Sequence, residues 1–78
     1  MRIVSQSDLR AWRKRIGLNI RAMRHREELT QPAVAKAVGV TVPMISHIET
    51  GRKTPNLRLW LALAKALGVH PCAFYNEL

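Results

Sequence analysis

The feature that most constrains the fold is a 21-residue stretch, residues 30–50, with the pattern of two short helices joined by a tight turn. Apolar residues recur at helical spacing over residues 31–37 and again over residues 42–50. A threonine precedes each run, and its hydroxyl can accept a hydrogen bond at a helix N-terminus. Gly39 lies between the runs, where a residue without Cβ most easily adopts the positive φ of a short turn. The stretch therefore predicts a helix, a turn and a second helix.

The same spacing assigns faces to the two predicted helices. Ala35 is small enough to let them cross closely, and Ile45 and Ile48 fall on the inner face of the second one. The residues left on its outer face are Val42, Pro43, Ser46, His47 and Thr50. Pro43 disfavours helical geometry at the residue before it, which leaves two starts open for this helix, at Val42 or one residue later.

Upstream of this stretch the chain is strongly basic. Eight of its thirteen Lys and Arg residues precede Glu27, and the net charge of the whole chain is +8. These eight residues are Arg2, Arg10, Arg13, Lys14, Arg15, Arg21, Arg24 and Arg26. Such an excess of positive charge indicates a polyanionic partner, either nucleic acid or an anionic membrane surface.

The basic region also has a helical pattern. Ser5, Ser7 and Asp8 are residues typical of a helix N-terminus, and apolar residues follow them at three- and four-residue steps. These apolar residues are Leu9, Trp12, Ile16, Ile20 and Met23. Two structures fit the pattern: one continuous helix over about residues 7–26, or a basic arm ahead of a helix that starts near Arg13. We favour the continuous helix because Leu9 and Trp12 keep the same face as the later apolar residues.

An amphipathic basic helix with a tryptophan also describes a segment that lies on a membrane surface. Ile16, Ile20 and Met23 are needed to cover the two helices that follow, so we favour a packed helix. Gly17 weakens the middle of this helix by about 1 kcal/mol relative to alanine. Because no apolar run in the sequence reaches the length of a membrane span, we predict no membrane partner.

Two further helices are predicted downstream. Asn56 is a suitable N-cap for a helix over residues 57–67, which Gly68 ends. Its core-facing residues are expected to be Leu57, Trp60, Leu63, Ala64 and Leu67. His70 then caps a last short helix with Pro71 at its first position.

A second apolar stripe on the fourth helix predicts self-association. Leu59, Ala62 and Ala66 lie on a face that a monomer does not need to bury. Together with Tyr75 they are the predicted homodimer interface. Cys72, in the last helix, is expected to be a small packed hydrophobe.

The spacing of Ala35, Gly39, Ile45 and Ile48 resembles that of the Cro/repressor-type helix-turn-helix family, also called the XRE or Cro/C1-type family. The resemblance covers about residues 16–76. It rests on residues 16–24, 29–31, 45–46, 48–49, 51, 55, 57 and 63–69. It implies an all-α, five-helix, lambda-repressor-like DNA-binding domain. We expect residues 16–78 to form this domain and residues 1–15 to be a basic N-terminal extension that continues into the first helix.

The resemblance also implies roles for individual residues. The expected base contacts, on the outer face of the third helix, are Val42, Pro43, Ser46, His47 and Thr50. The expected phosphate contacts are Gln31, Thr41, Arg52, Lys53 and Thr54. Arg24 and Glu49 are expected to form an ion pair between the first and third helices. The alternatives are an ordinary polar helix residue at Gln31 and a solvated carboxylate at Glu49.

The third helix departs from the family pattern at its start. Members commonly place Arg, Gln, Ser or Asn at the first exposed positions, whereas this chain has Val42, Pro43 and Met44. The side chains of Val42 and Pro43 cannot form hydrogen bonds, so we expect them to contact thymine methyl groups, with His47 supplying the main hydrogen bond. The alternative is that they only shape the start of the helix and that specificity comes from DNA deformability.

The sequence gives no indication of catalysis. His25, His47 and His70 lie on separate elements without the spacing of metal ligands, and the single Cys72 cannot complete a zinc site. One cysteine also cannot form an internal disulfide, which is typical of a reducing cytosol. We therefore expect no catalytic residues, cofactor, metal or small-molecule effector, and we expect a cytoplasmic protein.

Charge and resemblance together predict a transcriptional regulator, repressor-like, Cro-like or of the controller type. It would bind a short double-stranded DNA operator as a homodimer. The alternative is a protein-binding adaptor or antitoxin module that uses the same helical scaffold. The apolar start of the third helix keeps this alternative open.

Overall fold

The computed structural model describes residues 3–75, which form four α-helices and one short 3₁₀ helix. The helices are α1 (Gln6–Arg26), α2 (Gln31–Val38), α3 (Val42–Glu49) and α4 (Leu57–Leu67), followed by the 3₁₀ helix Pro71–Tyr75. No strand occurs among these residues, so the predicted all-α class is confirmed. The predicted fifth helix is a 3₁₀ segment rather than an α-helix. Arg2 of the basic region and residues 76–78 of the predicted domain lie outside the described residues.

The first element is one continuous helix, as the apolar spacing predicts, and it crosses the expected boundary between residues 15 and 16. A capping box fixes its start: the Ser5 hydroxyl accepts from the backbone N–H of Asp8, and the Asp8 carboxylate accepts from that of Ser5, both at 3.1 Å. The Ser5 backbone N–H, and then its hydroxyl, lower the pKa of Asp8. Leu9 and Trp12 are nonetheless about half exposed, so their face is only partly covered.

The middle of α1 lies against the end of α3 at Gly17. A Cβ atom at this position would overlap the carbonyl oxygen of Ile48 and lie 2.6 Å from that of Glu49. Both are backbone atoms, which cannot move aside as a flexible side chain can. Gly17 therefore permits a helix–helix approach that no other residue allows, and this outweighs its low helix propensity.

The hydrophobic core lies between α1, α2, α3 and α4, with the 3₁₀ helix closing one end against α1 and α4. Its most deeply buried side chains are Ile20, Val34, Ile45, Ile48, Leu63, Leu67 and Phe74. Leu57, predicted to face the core, is 74% exposed, so that prediction is wrong. Leu59, predicted to face a partner, is half-buried, and part of its side chain packs against the core. No helix within residues 3–75 is long and apolar enough to span a membrane.

Hydrogen bonds and aromatic rings hold the 3₁₀ helix in place. The buried Asn19 amide of α1 donates to the Phe74 carbonyl at 2.8 Å, and the Trp60 indole of α4 donates to the Pro71 carbonyl at 2.8 Å. Tyr75 contacts Trp60 and Trp12, with ring centroids 5.1 and 6.0 Å apart. Cys72 is exposed, contrary to the expectation that it would be packed.

We predict that Gly17→Ala destabilises the protein by about 1–3 kcal/mol, because the added methyl must displace backbone carbonyls in a packed crossing. Helix propensity alone predicts the opposite sign, a gain of about 1 kcal/mol. Denaturant titration measures the free energy of unfolding directly. Ala22→Gly, on the exposed side of the same helix, is the control and should cost about 1 kcal/mol through propensity alone. A Gly17→Ala protein at least as stable as wild type would contradict the close approach.

Candidate nucleic-acid interface

Side-chain caps and a glycine turn set the angle between α2 and α3. The Thr30 hydroxyl accepts from the backbone N–H of Ala33 at 3.1 Å, and that of Thr41 accepts from Met44 at 3.3 Å. Between the helices, Gly39 has a φ of 77°, and its N–H donates to the Ala35 carbonyl. The two predicted helices and the turn between them are therefore present.

The α3 helix begins at Val42, the earlier of the two starts that Pro43 left open. Pro43 lies in the first turn, where no preceding carbonyl of the helix can clash with its ring and where its missing N–H has no partner to lose. The Thr41 cap holds this turn in helical geometry despite the usual preference of a residue before proline.

Four of the five predicted base contacts lie on the outer face of α3, and the fifth, Thr50, is the residue that caps its C-terminal end. Val42 is 38% exposed, Pro43 and Thr50 are exposed, and Ser46 and His47 are half-buried. The Thr50 hydroxyl donates to the Ser46 carbonyl at 2.8 Å. Its proton is therefore already used, and toward a ligand Thr50 can only accept a hydrogen bond.

The loop after α3 folds back onto that helix. Gly51 has a φ of 78°, and the backbone N–H groups of Arg52 and Lys53 both donate to the His47 carbonyl, at 2.8 and 3.2 Å. The side chains of Arg52, Lys53 and Thr54 are exposed. Neither Arg52 nor Lys53 takes part in an ion pair within residues 3–75. The loop thus presents two free cations beside the C-terminal end of α3.

A buried ion pair joins α1 to α3. Arg24 donates from Nε to Glu49 Oε2 at 2.7 Å and from Nη2 to Oε1 at 3.0 Å, in a bidentate geometry. Both residues are buried, and the hydrogen bonds from the guanidinium to Glu49 raise the pKa of Arg24 against the opposing effect of burial. Arg24 Nη1 also donates to the Leu29 carbonyl at 2.8 Å, which ties the pair to the turn before α2. A solvated Glu49 is therefore excluded.

Gln31, the first residue of α2, belongs to the same network. Its Nε2 donates to Glu49 Oε1 at 3.1 Å, a contact that sequence reasoning did not anticipate. The amide keeps a second N–H and a carbonyl oxygen for an outside partner. Glu49 therefore fixes the N-terminus of α2 relative to α3.

The exposed apolar surface of α4 differs from the predicted one. Leu57 and Leu61, one turn apart, are 74% and 48% exposed, and Tyr75 beside them is 52% exposed. They border an open groove of about 390 Å³, whose other apolar walls include Pro55, Trp60 and Pro71. Of the predicted interface residues, Ala62 and Ala66 are half-buried and Leu59 packs on the core. The spacing of Leu57 and Leu61 is a signal that could have identified this face.

Metal binding finds no support in the part of the chain that the structure describes. No group of three or more His, Cys, Asp or Glu side chains there could hold a metal ion. The polar groups on and beside α3 are hydrogen-bond donors, hydrogen-bond acceptors and cations.

Comparisons with known proteins agree with this geometry. A family model described as a helix-turn-helix domain matches residues 15–73. The HTH-type transcriptional regulator y4dJ of Sinorhizobium fredii is 37% identical over 57 residues, which cover 73% of this chain and 74% of that protein. The restriction-modification controller protein C.AhdI from Aeromonas hydrophila superposes with a TM-score of 0.78 at 26% identity, over 88% of this chain and 98% of that one. The clp gene regulator ClgR from Corynebacterium glutamicum has a TM-score of 0.78 at 27% identity, over 81% and 67% of the two chains.

We predict that Glu49→Ala lowers the free energy of unfolding by about 3–5 kcal/mol, because it leaves the Arg24 guanidinium buried without its counter-charge. The control is Glu27→Ala: the Arg26–Glu27 pair is longer, at 3.8 Å, and about half exposed. Its loss should change stability by less than about 0.5 kcal/mol. Denaturant titration of both variants makes the comparison, and equal small losses would remove the pair from the account of stability.

Proposed function

The chain belongs to the Cro/repressor-type (XRE) helix-turn-helix family of transcriptional regulators, and from this premise we propose that it binds a short double-stranded DNA operator as a homodimer. The observation that carries the proposal is the exposed outer face of α3, which has potential phosphate contacts at both of its ends. Thr41 lies at one end and the loop with Arg52 and Lys53 at the other. A helix presented in this way fits the major groove of B-form DNA.

The proposed phosphate contacts divide into two groups. The first group lies near the N-terminal ends of α2 and α3. Gln31, at the start of α2, offers its remaining side-chain N–H. The Thr41 hydroxyl accepts a hydrogen bond in the cap of α3, so its proton is available to a phosphate. The second group lies in the loop after α3, where Arg52, Lys53 and Thr54 offer two positive charges and a hydroxyl. Such contacts fix the position of the protein on the duplex but carry no sequence information.

Base recognition is proposed for the residues between these groups. Ser46 and His47 can donate or accept hydrogen bonds, Thr50 can accept, and Val42 and Pro43 offer apolar surface. Binding of this kind at a promoter would make the protein a regulator acting in the cytoplasm. Similarity to the controller protein C.AhdI supports a controller-like role.

Selection of DNA fragments by the purified protein tests the proposal. Random duplexes are bound, recovered and sequenced over several rounds, and we expect enrichment of a site with two-fold symmetry. The second candidate is a protein-binding adaptor or antitoxin, which the apolar surface of Val42 and Pro43 at the start of α3 favours. Absence of any enriched sequence would contradict the operator proposal and favour the adaptor.

For base recognition we predict thymine methyl groups opposite Val42 and Pro43. Uracil keeps every hydrogen bond of thymine and lacks only the methyl, so single uracil substitutions in the selected operator isolate this contact. They should weaken binding at one or two positions per half-site by about 1 kcal/mol each, and have no effect at flanking thymines. Tolerance of uracil throughout, together with an unchanged base preference in His47→Ala, would contradict direct readout by α3 and point to DNA deformability.

Dimerisation is proposed through the apolar face of α4 that borders the groove, rather than through Leu59. Leu57, Leu61 and Tyr75 are exposed together on one surface, which covering by a second copy would remove from water. Two recognition helices then need a separation of about 34–36 Å to reach successive major grooves.

We predict that Leu61→Glu gives a folded monomer with weakened operator binding, because a carboxylate in an apolar interface is desolvated without a partner. Leu18→Glu is the matched control, since Leu18 is similarly exposed (53%) on α1 and does not line the groove. Sedimentation equilibrium should show a dimer for wild type and for Leu18→Glu. A Leu61→Glu protein that remains a dimer would place the interface elsewhere, for example at Trp12.

A further inference from the structure

The first two turns of α1 contribute nothing to the buried core. Every residue from 6 to 12 is exposed, and the first buried residue of the helix is Ile16. The match to the helix-turn-helix family begins at residue 15. Neither the core nor the family match therefore accounts for these two turns.

One face of these turns is apolar and joins the apolar surface of α4. Leu9 and Trp12 are about half exposed, and they lie within about 60° of each other around the helix. The Trp12 ring meets the Tyr75 ring edge-on, with centroids 6.0 Å apart, and Tyr75 lines the α4 groove with Leu57 and Leu61. We call these five side chains the extended apolar face.

The area of this face indicates what covers it. A homodimer interface of standard size buries about 800 Å² per partner, of which about 65%, or about 520 Å², is apolar. Leu57, Leu61 and Tyr75 alone expose at most about 440 Å², if each side chain has the area of a large aromatic, about 250 Å². Leu9 and Trp12 raise this limit to about 650 Å². Of the two surfaces, only the extended apolar face therefore reaches the apolar area that a second copy needs.

The charges of α1 are arranged so that a second copy can approach this face. Arg10 and Lys14 lie about 160° from Trp12 around the helix, on its far side. Asp8 and Arg15 lie beside Trp12, both within about 60° of it and on the same edge of the face. They have opposite signs and are seven residues, about 10.5 Å, apart along the helix.

Asp8 and Arg15 both keep capacity for a further partner. The Arg15 guanidinium lies over the Trp12 ring, 5.2 Å from the centroid, and it has five N–H donors. Asp8 accepts from the Ser5 backbone through Oδ2, and its other carboxylate oxygen can accept as well. A two-fold axis perpendicular to α1 makes two copies of the helix antiparallel and brings the same edge of both together. An axis midway between the two residues then places each Asp8 opposite the Arg15 of the other copy.

We propose that α1 pairs with its own copy in the homodimer, antiparallel across a two-fold axis that passes between Leu9 and Trp12. This inference rests on the proposed homodimer. The extended apolar face is then buried in both subunits, and Asp8 of each subunit pairs with Arg15 of the partner subunit. The subunits are held by α1 as well as by α4, which fixes their relative orientation and with it the separation of the two α3 helices.

A charge swap tests the pairing in the absence of DNA. Asp8→Arg places like charges opposite one another, and so does Arg15→Asp, whereas the double variant restores opposite charges. Sedimentation equilibrium measures the dissociation constant of the dimer. We expect each single variant to raise this constant about tenfold or more, and the double variant to return it close to the wild-type value. Within one chain the two side chains are about two turns apart, so rescue reports a contact between subunits.

The matched control is Arg10→Asp, which makes the same change of charge on the far side of α1 and should leave the dissociation constant unchanged. Trp12→Ala keeps every charge and should raise the constant about tenfold or more, because it removes apolar area from the interface. Circular dichroism verifies that each variant is helical, since Asp8→Arg also removes the capping-box bond to Ser5.

The outcomes separate this inference from the homodimer itself. Unchanged dissociation constants for the single charge variants and for Trp12→Ala, with Leu61→Glu monomeric, overturn the pairing of α1 and leave the homodimer standing. Single variants that weaken the dimer without rescue in the double variant overturn the antiparallel arrangement. A wild-type protein that sediments as a monomer at every concentration overturns the homodimer and the inference with it.

Discussion

The arrangement of the helices depends on one buried interaction, the pair of Arg24 and Glu49. Glu49 accepts three hydrogen bonds, two from the guanidinium and one from Gln31, and Arg24 also donates to the Leu29 carbonyl. The pair thus connects α1, the start of α2 and the end of α3. Burying two charges is expensive, and well-packed apolar residues often give equal or greater stability. We therefore infer that its main contribution is geometric: an alternative packing that buries either charge away from the other leaves that charge unpaired, which favours the observed position of α3.

Two glycines allow α1 to pack closely against the end of α3 and the loop that follows it. Gly17 lets the helix backbone lie directly on the carbonyls at the end of α3, and Gly51 lets the following loop lie on the backbone at Lys14. A side chain at either place would push α1 away from the loop. The charges of the N-terminal half of α1 would then be separated from Arg52 and Lys53. Packing at two residues without side chains therefore determines how closely the N-terminal half of α1 approaches the loop that carries Arg52 and Lys53.

Local signals in the sequence predicted most of the fold, and contacts between elements account for what they missed. Thr30, Thr41, Asn56 and the capping box at Ser5 set helix starts through bonds within four residues, so they can be identified from spacing. The exposed side of α4 was harder to identify: Arg58 and Lys65 mark it, and Leu57 and Leu61 lie beside them at helical spacing, but nine of the eleven residues in LRLWLALAKAL are apolar, so the pattern does not show which leucines the core covers. The role of Gly17 was missed for a related reason: propensity describes an isolated helix, whereas its effect here depends on carbonyls thirty-one and thirty-two residues away. The family, by contrast, was correctly recognised from the spacing within residues 30–50.

The chemistry of α3 explains why a single subunit would not be sufficient for operator recognition. Val42 and Pro43 make no hydrogen bonds, and the Thr50 hydroxyl proton is used within the helix, so hydrogen-bond donation to bases falls to Ser46 and His47. A good bidentate base contact contributes about 1–3 kcal/mol of discrimination, and these side chains make weaker, single bonds. Specific binding of DNA usually exceeds non-specific binding by about 4–10 kcal/mol. One such helix therefore supplies less than this range requires, while the net charge of +8 strengthens binding to every sequence alike. In the proposed dimer, two linked subunits would add their discrimination on one operator, so the contact between subunits would be as important for specificity as the residues proposed to touch the bases.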